Sequence, residues 1–103
     1  MGSLRFRLLT PRGIAVDCLC GSVRLTARDD ARGQGGGSYG VHPGHMPTLI
    51  ALEEGGPLRL FAEGRQVYAA RLRGGFARIG PAEVTVLTPQ AEETMPATDA
   101  DAP

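Results

Sequence analysis

The chain has 103 residues, a size that accommodates one domain around a single hydrophobic core. Its fifteen glycines and eight prolines exclude a helical bundle, because an interior glycine or proline costs a helix about 1 or 3 kcal/mol. Hydrophobic residues make up 42% of the chain and charged residues 21%, and no apolar run approaches the roughly 18 residues of a membrane-spanning helix.

The net charge of zero conceals an uneven distribution of charge. All eleven basic residues are arginines at or before Arg78, so residues 1–90 carry a net charge of +4 and residues 91–103 carry −4. A modest positive charge with few aromatic side chains argues against nucleic acid as a partner. The first residues lack the apolar core of a secretory signal, so we expect a cytoplasmic protein with reduced cysteines.

Short segments with strand character follow one another along the chain, separated by turns rich in glycine and proline. In the first segment, leucine and phenylalanine alternate with arginine, which is the pattern of a strand with one buried face. The segments are Leu4–Leu9, Ile14–Ala27, Thr48–Leu52, Leu58–Ala62, Gln66–Leu72, Phe76–Ile79 and Glu83–Thr88.

The second of these segments changes phase at Gly21. Its apolar side chains lie at even positions from Val16 to Cys20 and at odd positions from Val23 to Leu25. A β-bulge or bend near Gly21 would reconcile the two halves.

These patterns predict an all-β domain over residues 1–89, either an antiparallel β-sandwich or a barrel. Residues 28–38, RDDARGQGGGS, are polar and glycine-rich, and we expect them to form a mobile surface loop inserted in this domain. From Gln90 the composition shifts to alanine, threonine, proline and acidic residues. This shift predicts a disordered acidic tail over residues 90–103.

Two cysteines and two histidines are the candidates for a metal site. Cys18 and Cys20, with His42 and His45, would supply ligands that zinc accepts. Each pair is spaced one residue more closely than structural zinc sites require, so we expect no metal and no cofactor. Two cysteines at alternate positions of a strand suit small core positions and form a disulfide poorly. The alternative function is a free-standing sandwich that binds a metal or ligand through these pairs.

Other catalytic motifs are absent from the sequence. Residues 33–38, GQGGGS, lack the lysine of a phosphate-binding loop, and the chain has no lysine at all. It also has no G-x-S-x-G motif for a nucleophilic serine. We therefore expect no catalytic residues.

The run Tyr39–Pro47, YGVHPGHMP, places two glycines and two prolines around two histidines. Its backbone must turn sharply, because Gly44 is free to adopt a positive φ while Pro43 is fixed near about −65°. We expect His45 to be a hydrogen-bonded histidine that holds this turn to a neighbouring strand.

Five motifs occur in a fixed order between Leu4 and Glu92: LLTPRG (8–13), SVRL (22–25), GVHPGHMP (40–47), GGFARI (74–79) and EVTVL (83–87). Their order and spacing resemble the epsilon subunit of the bacterial F-type ATP synthase, which is called delta in mitochondria. Residues 40–47 are similar to the most telling motif of that family, in which a glycine, an aliphatic residue, a variable residue and Pro-Gly-His lead into a proline.

The resemblance implies a ten-stranded β-sandwich of two sheets and a non-catalytic subunit of the rotating central stalk. Such a subunit binds the gamma subunit and the c-ring, associates indirectly with the alpha and beta subunits, and supports the coupling of proton or sodium flow to ATP synthesis. It lies peripherally at the cytoplasmic face of the bacterial inner membrane. The residues expected to face the c-ring are Ser38, Tyr39, Val41 and His42. Those expected to brace the motif and contact gamma are Gly44, His45, Met46, Pro47, Gly74 and Gly75.

The sequence departs from the family pattern at two places. Most members continue into a two-helix hairpin that regulates ATP hydrolysis and in some bacteria binds ATP, whereas the residues after Leu87 offer no helical counterpart. We therefore expect neither self-inhibition through helices nor nucleotide binding. Ser38 stands where the family often has an acidic residue facing the c-ring, so contacts with the ring are expected to differ in chemistry.

Overall fold

The computed structural model describes residues 3–96, which form ten β-strands. The strands are β1 (Leu4–Thr10), β2 (Gly13–Cys20), β3 (Ser22–Ala27), β4 (Gly37–Val41), β5 (Thr48–Ala51), β6 (Glu54–Ala62), β7 (Arg65–Arg73), β8 (Phe76–Ile79), β9 (Glu83–Leu87) and β10 (Ala91–Met95). They form two five-stranded sheets, sheet 1 in the order β2-β1-β9-β8-β5 and sheet 2 in the order β10-β7-β6-β3-β4. The prediction of about ten short strands in two sheets is confirmed.

Neighbouring strands in the described part of the chain are antiparallel, with one exception. Strand β1 pairs with β9 in parallel, and Phe6 lies opposite Val84 in this register. The two strands are far apart in sequence, so this pairing brings the first and last motifs of the chain together in the middle of sheet 1.

The core lies between the two sheets and follows the period of two residues in each strand. In β1, Leu4, Phe6 and Leu8 are fully buried, whereas the intervening Arg5 is exposed. Leu60 of β6 is one of the buried side chains that sheet 2 contributes to the same cluster. Burying a side chain of this size contributes about 1.5–3 kcal/mol, so the alternation seen in the sequence supplies the main stabilisation of the sandwich.

The chain crosses from one sheet to the other at Gly21. Strand β2 ends at Cys20 in sheet 1 and β3 begins at Ser22 in sheet 2. The Gly21 N–H donates a hydrogen bond of 2.7 Å to the carbonyl of Phe61 in β6. The predicted change of phase is thus confirmed, and its cause is that the buried face of a strand changes side when the chain enters the opposite sheet.

The prediction of a disordered tail from Gln90 is wrong for the residues of β10. This strand pairs with the edge of β7, and its first residue, Ala91, lies opposite Leu72 and packs against the core. The sequence did not indicate this strand, because its residues are mostly acidic or polar and show no alternating apolar pattern. The strand forms through backbone pairing with β7. The domain therefore extends past residue 89 to Met95, and residues 97–103 of the predicted tail lie outside the described residues.

The glycine-rich insertion is shorter than predicted, because β4 begins at Gly37. The remaining loop is closed by two aspartates. Asp30 accepts hydrogen bonds from the backbone N–H groups of Arg32 (2.8 Å) and Gln34 (3.0 Å), and Asp29 accepts one from Gly36 (2.9 Å). The composition predicted a loop at this place but not these side-chain contacts, and its mobility stays a prediction.

Turns gather at the two ends of the sandwich. One end, which we call the motif end, holds the β2–β3, β4–β5, β6–β7 and β8–β9 connections, and the other connections lie at the opposite end. Within residues 3–96, the structure has no helix of the length and hydropathy that crossing a membrane requires.

Candidate functional site

The motif loop, residues 42–47, connects β4 in sheet 2 with β5 in sheet 1. Gly44 has a φ of +89°, a conformation that side chains disfavour. Its N–H donates a hydrogen bond of 2.7 Å to the carbonyl of Pro81, in the β8–β9 turn. The sharp turn predicted from glycine and proline is present, and it is tied to sheet 1 by its own backbone.

His45 ties the same loop to sheet 2. Its Nε2 lies 3.0 Å from the hydroxyl oxygen of Tyr39, and its Nδ1 lies 2.6 Å from the carbonyl oxygen of Met46. Because a carbonyl only accepts, Nδ1 donates to Met46, and in the tautomer with its proton on Nδ1 the Tyr39 hydroxyl donates to Nε2. The prediction that His45 is a hydrogen-bonded histidine holding the turn to a strand is confirmed.

The residues expected to face the c-ring do not form one surface. Val41 is fully buried in the core, so the prediction that its side chain faces a partner is wrong. Tyr39 is half-buried on the same inward face, whereas Ser38 is exposed. Successive side chains of a strand point to opposite faces, which separates Ser38 from its neighbour. His42, beyond the end of β4, is exposed at the motif end.

The exposed side chains of the motif loop are those of His42, Met46 and Pro47, which we call the motif surface. Met46 is 77% exposed, an unusual value for a large apolar side chain. The carbonyl of Met46 accepts hydrogen bonds from both His45 Nδ1 and Thr48 Oγ1, the latter at 2.8 Å. The backbone beneath the exposed methionine is therefore fixed although its side chain is free.

Gly74 and Gly75 lie at the opposite end from the motif loop and therefore do not brace it, whereas their expected contact with gamma stays a prediction. Gly75 has a φ of +112°, and a side chain there would collide with the backbone of Leu87 and Thr88. Thr88 Oγ1 also lies 2.8 Å from the carbonyl oxygen of Gly74. The close approach that Gly75 permits is to the end of the chain's own β9, which explains this glycine without a partner.

An apolar row crosses the outer face of sheet 1 and was not predicted from the sequence. Each member lies directly opposite the next in the register of adjacent strands. The row consists of Ile14 in β2, Leu9 in β1, Leu87 in β9, Phe76 in β8 and Ala51 in β5. Ile14 is 64% exposed, and Leu87 and Phe76 are each 52% exposed. Five strands about 4.8 Å apart make the row roughly 20 Å long.

The sequence does carry a signal for this row. Leu9, Phe76 and Leu87 all stand in the outward phase of their strands, where a polar residue is expected. Leu9 and Leu87 are 78 positions apart in the chain, so only the sheet order shows that they are neighbours.

Elsewhere on this face charged residues alternate with two exposed leucines, Leu19 and Leu49, each of which lies opposite an arginine in the strand register. Arg5 and Asp17 form an ion pair with 3.0 Å between Nη2 and Oδ2. The hydrogen bond from Arg5 lowers the pKa of the Asp17 carboxyl, with a smaller effect from nearby Arg7. Contiguous exposed apolar surface beside such charged residues is typical of a protein-binding site.

The cysteines occupy the structural positions that the sequence predicted. Cys20 is buried, Cys18 is half-buried, and both are free thiols. Burial raises the pKa of both, that of Cys20 to about 11. Within residues 3–96, which include His42 and His45, no three histidine, cysteine or acidic side chains are grouped to hold a metal ion. The two pairs are therefore not assembled as the alternative metal-binding function requires.

Comparison with known proteins gives one consistent family. The family model for "ATP synthase, Delta/Epsilon chain, beta-sandwich domain" matches residues 3–94. The chain is 33% identical over 99 residues to the ATP synthase epsilon chain of Bacillus velezensis, covering 96% of this chain and 67% of that protein. It is 44% identical over 55 residues to the epsilon chain of Granulibacter bethesdensis, covering 53% of this chain and 40% of that one.

Solved structures show the same fold. A chain of the Euglena gracilis mitochondrial ATP synthase, in a structure of OSCP, F1 and c-ring, has a TM-score of 0.70 at 22% identity, covering 90% of this chain and 54% of that one. One from the central stalk and c-ring of the Tetrahymena thermophila mitochondrial ATP synthase has a TM-score of 0.57 at 16% identity, covering 85% and 64%. The chain spans 40% and 67% of the two curated relatives described above. Because the family model matches nearly all of the described residues, this chain belongs to the ATP synthase delta/epsilon family, and residues 3–94 form its β-sandwich domain.

Proposed function

We propose that this chain is a non-catalytic epsilon subunit in the central stalk of an F-type ATP synthase. In this role it links the gamma subunit to the c-ring and supports the coupling of ion flow to ATP synthesis. Relatives named ATP synthase epsilon chain, and a similar fold in a central stalk and c-ring assembly, support the proposal. The observation that carries it is that one sandwich presents two separate exposed surfaces, the apolar row and the motif surface.

The apolar row is the surface for gamma in this proposal. A row that leaves Ile14, Leu87 and Phe76 more than half exposed is stabilised by a partner that removes them from water, at about 25 cal/mol per Å² of apolar surface. The turn at Gly74 and Gly75 directly precedes Phe76, so a partner on the row also lies beside this turn. This assigns the gamma contact to the outer face of sheet 1 and not to the motif loop.

The motif surface is the contact for the c-ring. It combines polar and apolar groups, His42, Met46 and Pro47, and suits the polar loops of a ring rather than a continuous apolar face. Ser38 is exposed on the outer face of β4, four residues before His42, while Tyr39 acts from inside through its bond to His45. Gly44 and His45 brace the loop and do not themselves need to touch the ring.

Force passes between these two surfaces through a stiff body. The motif loop is bonded to both sheets, and the interior between the sheets is closely packed with low compressibility. A load applied at the ring therefore reaches the gamma contact with little strain. The association with alpha and beta subunits is indirect, the coupling ion is proton or sodium, and the complex places the chain peripherally at the cytoplasmic face of the bacterial inner membrane.

The test is coexpression of the chain with the gamma subunit and c-ring of the same organism, followed by size exclusion. The double variant Phe76→Glu with Leu87→Glu should lose gamma, because two charges then replace the centre of the apolar row. Leu19→Glu is the matched control, since Leu19 is 68% exposed on the same face but lies opposite Arg5, away from the row. This control should retain gamma as the natural chain does.

A second arm addresses the ring. Replacing His42 and Met46 with alanine should weaken retention on the c-ring and leave gamma binding intact, because both side chains are exposed and absent from the core. If the natural chain elutes alone at every salt concentration while gamma and the ring associate without it, the proposed role is wrong.

A further inference from the structure

An arginine without an acidic partner lies on the outer face of sheet 2 near the motif end. Arg24 is exposed in β3, and none of the ion pairs found within residues 3–96 includes it. Arg59 of β6 lies directly opposite in the strand register and is also outside those pairs. Like charges placed opposite each other across two strands repel, so this position favours the approach of an anion.

The guanidinium of Arg24 is held in place and left open on one side. Its Nη1 donates a hydrogen bond of 2.9 Å to the hydroxyl of Ser38 in the adjacent strand β4. Its Nη2 lies over Gly40, where a Cβ atom would be 3.6 Å away. Because Gly40 has no side chain, nothing from that position covers Nη2. The geometry thus keeps a charged donor oriented without occupying all of it.

A cleft of about 420 Å³ lies beside this arginine, where the β2–β3, β4–β5 and β6–β7 turns meet. Arg24 and Gly40 line it together with His42 of the motif surface, Phe61 and Glu63. The cleft therefore adjoins the surface assigned to the c-ring. Its volume admits a side chain from a neighbouring protein.

We propose that this cleft receives a carboxylate side chain from the c-ring loop and that Arg24 is the residue that recognises it. The inference rests on the proposed function and deepens it by naming the chemistry of the ring residue. A planar carboxylate matches the edge of a guanidinium in geometry and charge. A phosphate fits less well, because it carries about −1.5 to −2 charges while Glu63 adds a negative charge to the cleft wall.

Two variants test different parts of the recognition. Arg24→Glu reverses the charge, and Gly40→Val covers the guanidinium without changing any charge; Gly40 does not have a positive φ, so valine suits its strand. Arg12→Glu is the matched control, an exposed arginine at the opposite end of the sandwich. The affinity of each chain for the c-ring is measured in the complex with gamma, alongside its affinity for gamma alone and its circular dichroism spectrum.

We expect Arg24→Glu to weaken ring binding by about tenfold or more and Gly40→Val to weaken it severalfold. Arg12→Glu should stay within about twofold of the natural chain, and gamma binding should be unchanged in all three. Replacing the acidic residue of the ring loop with arginine should restore binding to Arg24→Glu, which a merely structural role of Arg24 does not explain.

Other results overturn the inference in distinguishable ways. If Arg24→Glu keeps full ring affinity while alanine at His42 and Met46 reduces it, the recognition by Arg24 is wrong and the proposed function stands. If Arg24→Glu instead loses binding to phosphatidylglycerol vesicles, with phosphatidylcholine vesicles as the blank, and keeps ring affinity, the anion is a lipid phosphate. If the natural chain does not bind the ring, both proposals fail.

Discussion

Tyr39 and His45 join the edge of sheet 2 to the loop that leads into sheet 1. The Tyr39 hydroxyl lies 3.0 Å from His45 Nε2, and the two rings are 5.7 Å apart at an angle of 52°. On its other side, the His45 ring contacts the carbonyl of Met46 through Nδ1. One imidazole therefore fixes both the strand before the motif loop and the backbone within it.

Removing the Tyr39 hydroxyl should weaken this connection. Tyr39→Phe is expected to lower the free energy of unfolding by about 0.5–1.5 kcal/mol, because it deletes one hydrogen bond and leaves Nε2 without its donor. Urea denaturation of Tyr39→Phe, His45→Ala and the double variant measures the coupling. If the loss of stability in the double variant equals the sum of the two single losses to within about 0.3 kcal/mol, the hydrogen bond does not stabilise the loop.

An alanine substitution should destabilise the protein much more at Gly75 than at Gly64, another glycine with a positive φ. Gly75→Ala is expected to cost more than about 3 kcal/mol, because strain from its φ of +112° adds to a collision with the backbone of Leu87. Gly64→Ala is the control: its φ is +77° and its surroundings are open, so about 1 kcal/mol is expected. Thermal unfolding compares the two, and equal losses would contradict the role of close approach at Gly75.

Tyr68 is a position where removing a polar atom should stabilise the protein. The residue is 1% exposed, and its hydroxyl makes no hydrogen bond of good geometry within residues 3–96. Burial, and then the nearby Glu93 carboxylate, raise the pKa of this hydroxyl. Tyr68→Phe is therefore expected to raise the free energy of unfolding by about 1 kcal/mol, since a buried unpaired hydroxyl loses its hydration without compensation. A lower urea midpoint for the variant would show that the hydroxyl makes a favourable contact.

The buried thiol of Cys20 predicts a loss of stability at alkaline pH. Burial raises its pKa from 9.0 to about 11, so the folded chain keeps the proton where the unfolded chain releases it. The stabilisation is complete below about pH 9 and falls as the pH rises towards about 11, by at most about 1.4 kcal/mol per pH unit.

Urea denaturation of the natural chain and of Cys20→Ala across this pH range tests whether Cys20 causes the alkaline loss of stability. The variant should be less stable than the natural chain at neutral pH, because it leaves a small cavity, but its stability should fall less steeply above pH 9. Identical slopes for the two proteins would assign the alkaline loss to other groups.

Local features of the fold were predictable because they depend on residues close together in the chain. The alternation at Leu4, Phe6 and Leu8 indicated a strand and its buried face, and the phase change indicated a bulge or bend near Gly21. That the chain changes sheet there is a result of the structure. The bond of His45 followed from a motif of nine residues. Strand β10 was missed because its pairing depends on the free edge of β7 and not on its own side chains.

The sequence by itself determined the strands with alternating apolar residues, the buried side of each, and where the motif loop turns, since these follow from a period of two and from glycine and proline. It did not determine β4 or β10. Only the tertiary structure decided which strands are neighbours. The order of the strands places Ile14 and Phe76 in the same row on sheet 1. It also sets Arg24 opposite Arg59 on sheet 2. The apolar row and the pair of arginines both arise from backbone pairing between segments that are distant in the chain, and no local sequence pattern encodes that pairing.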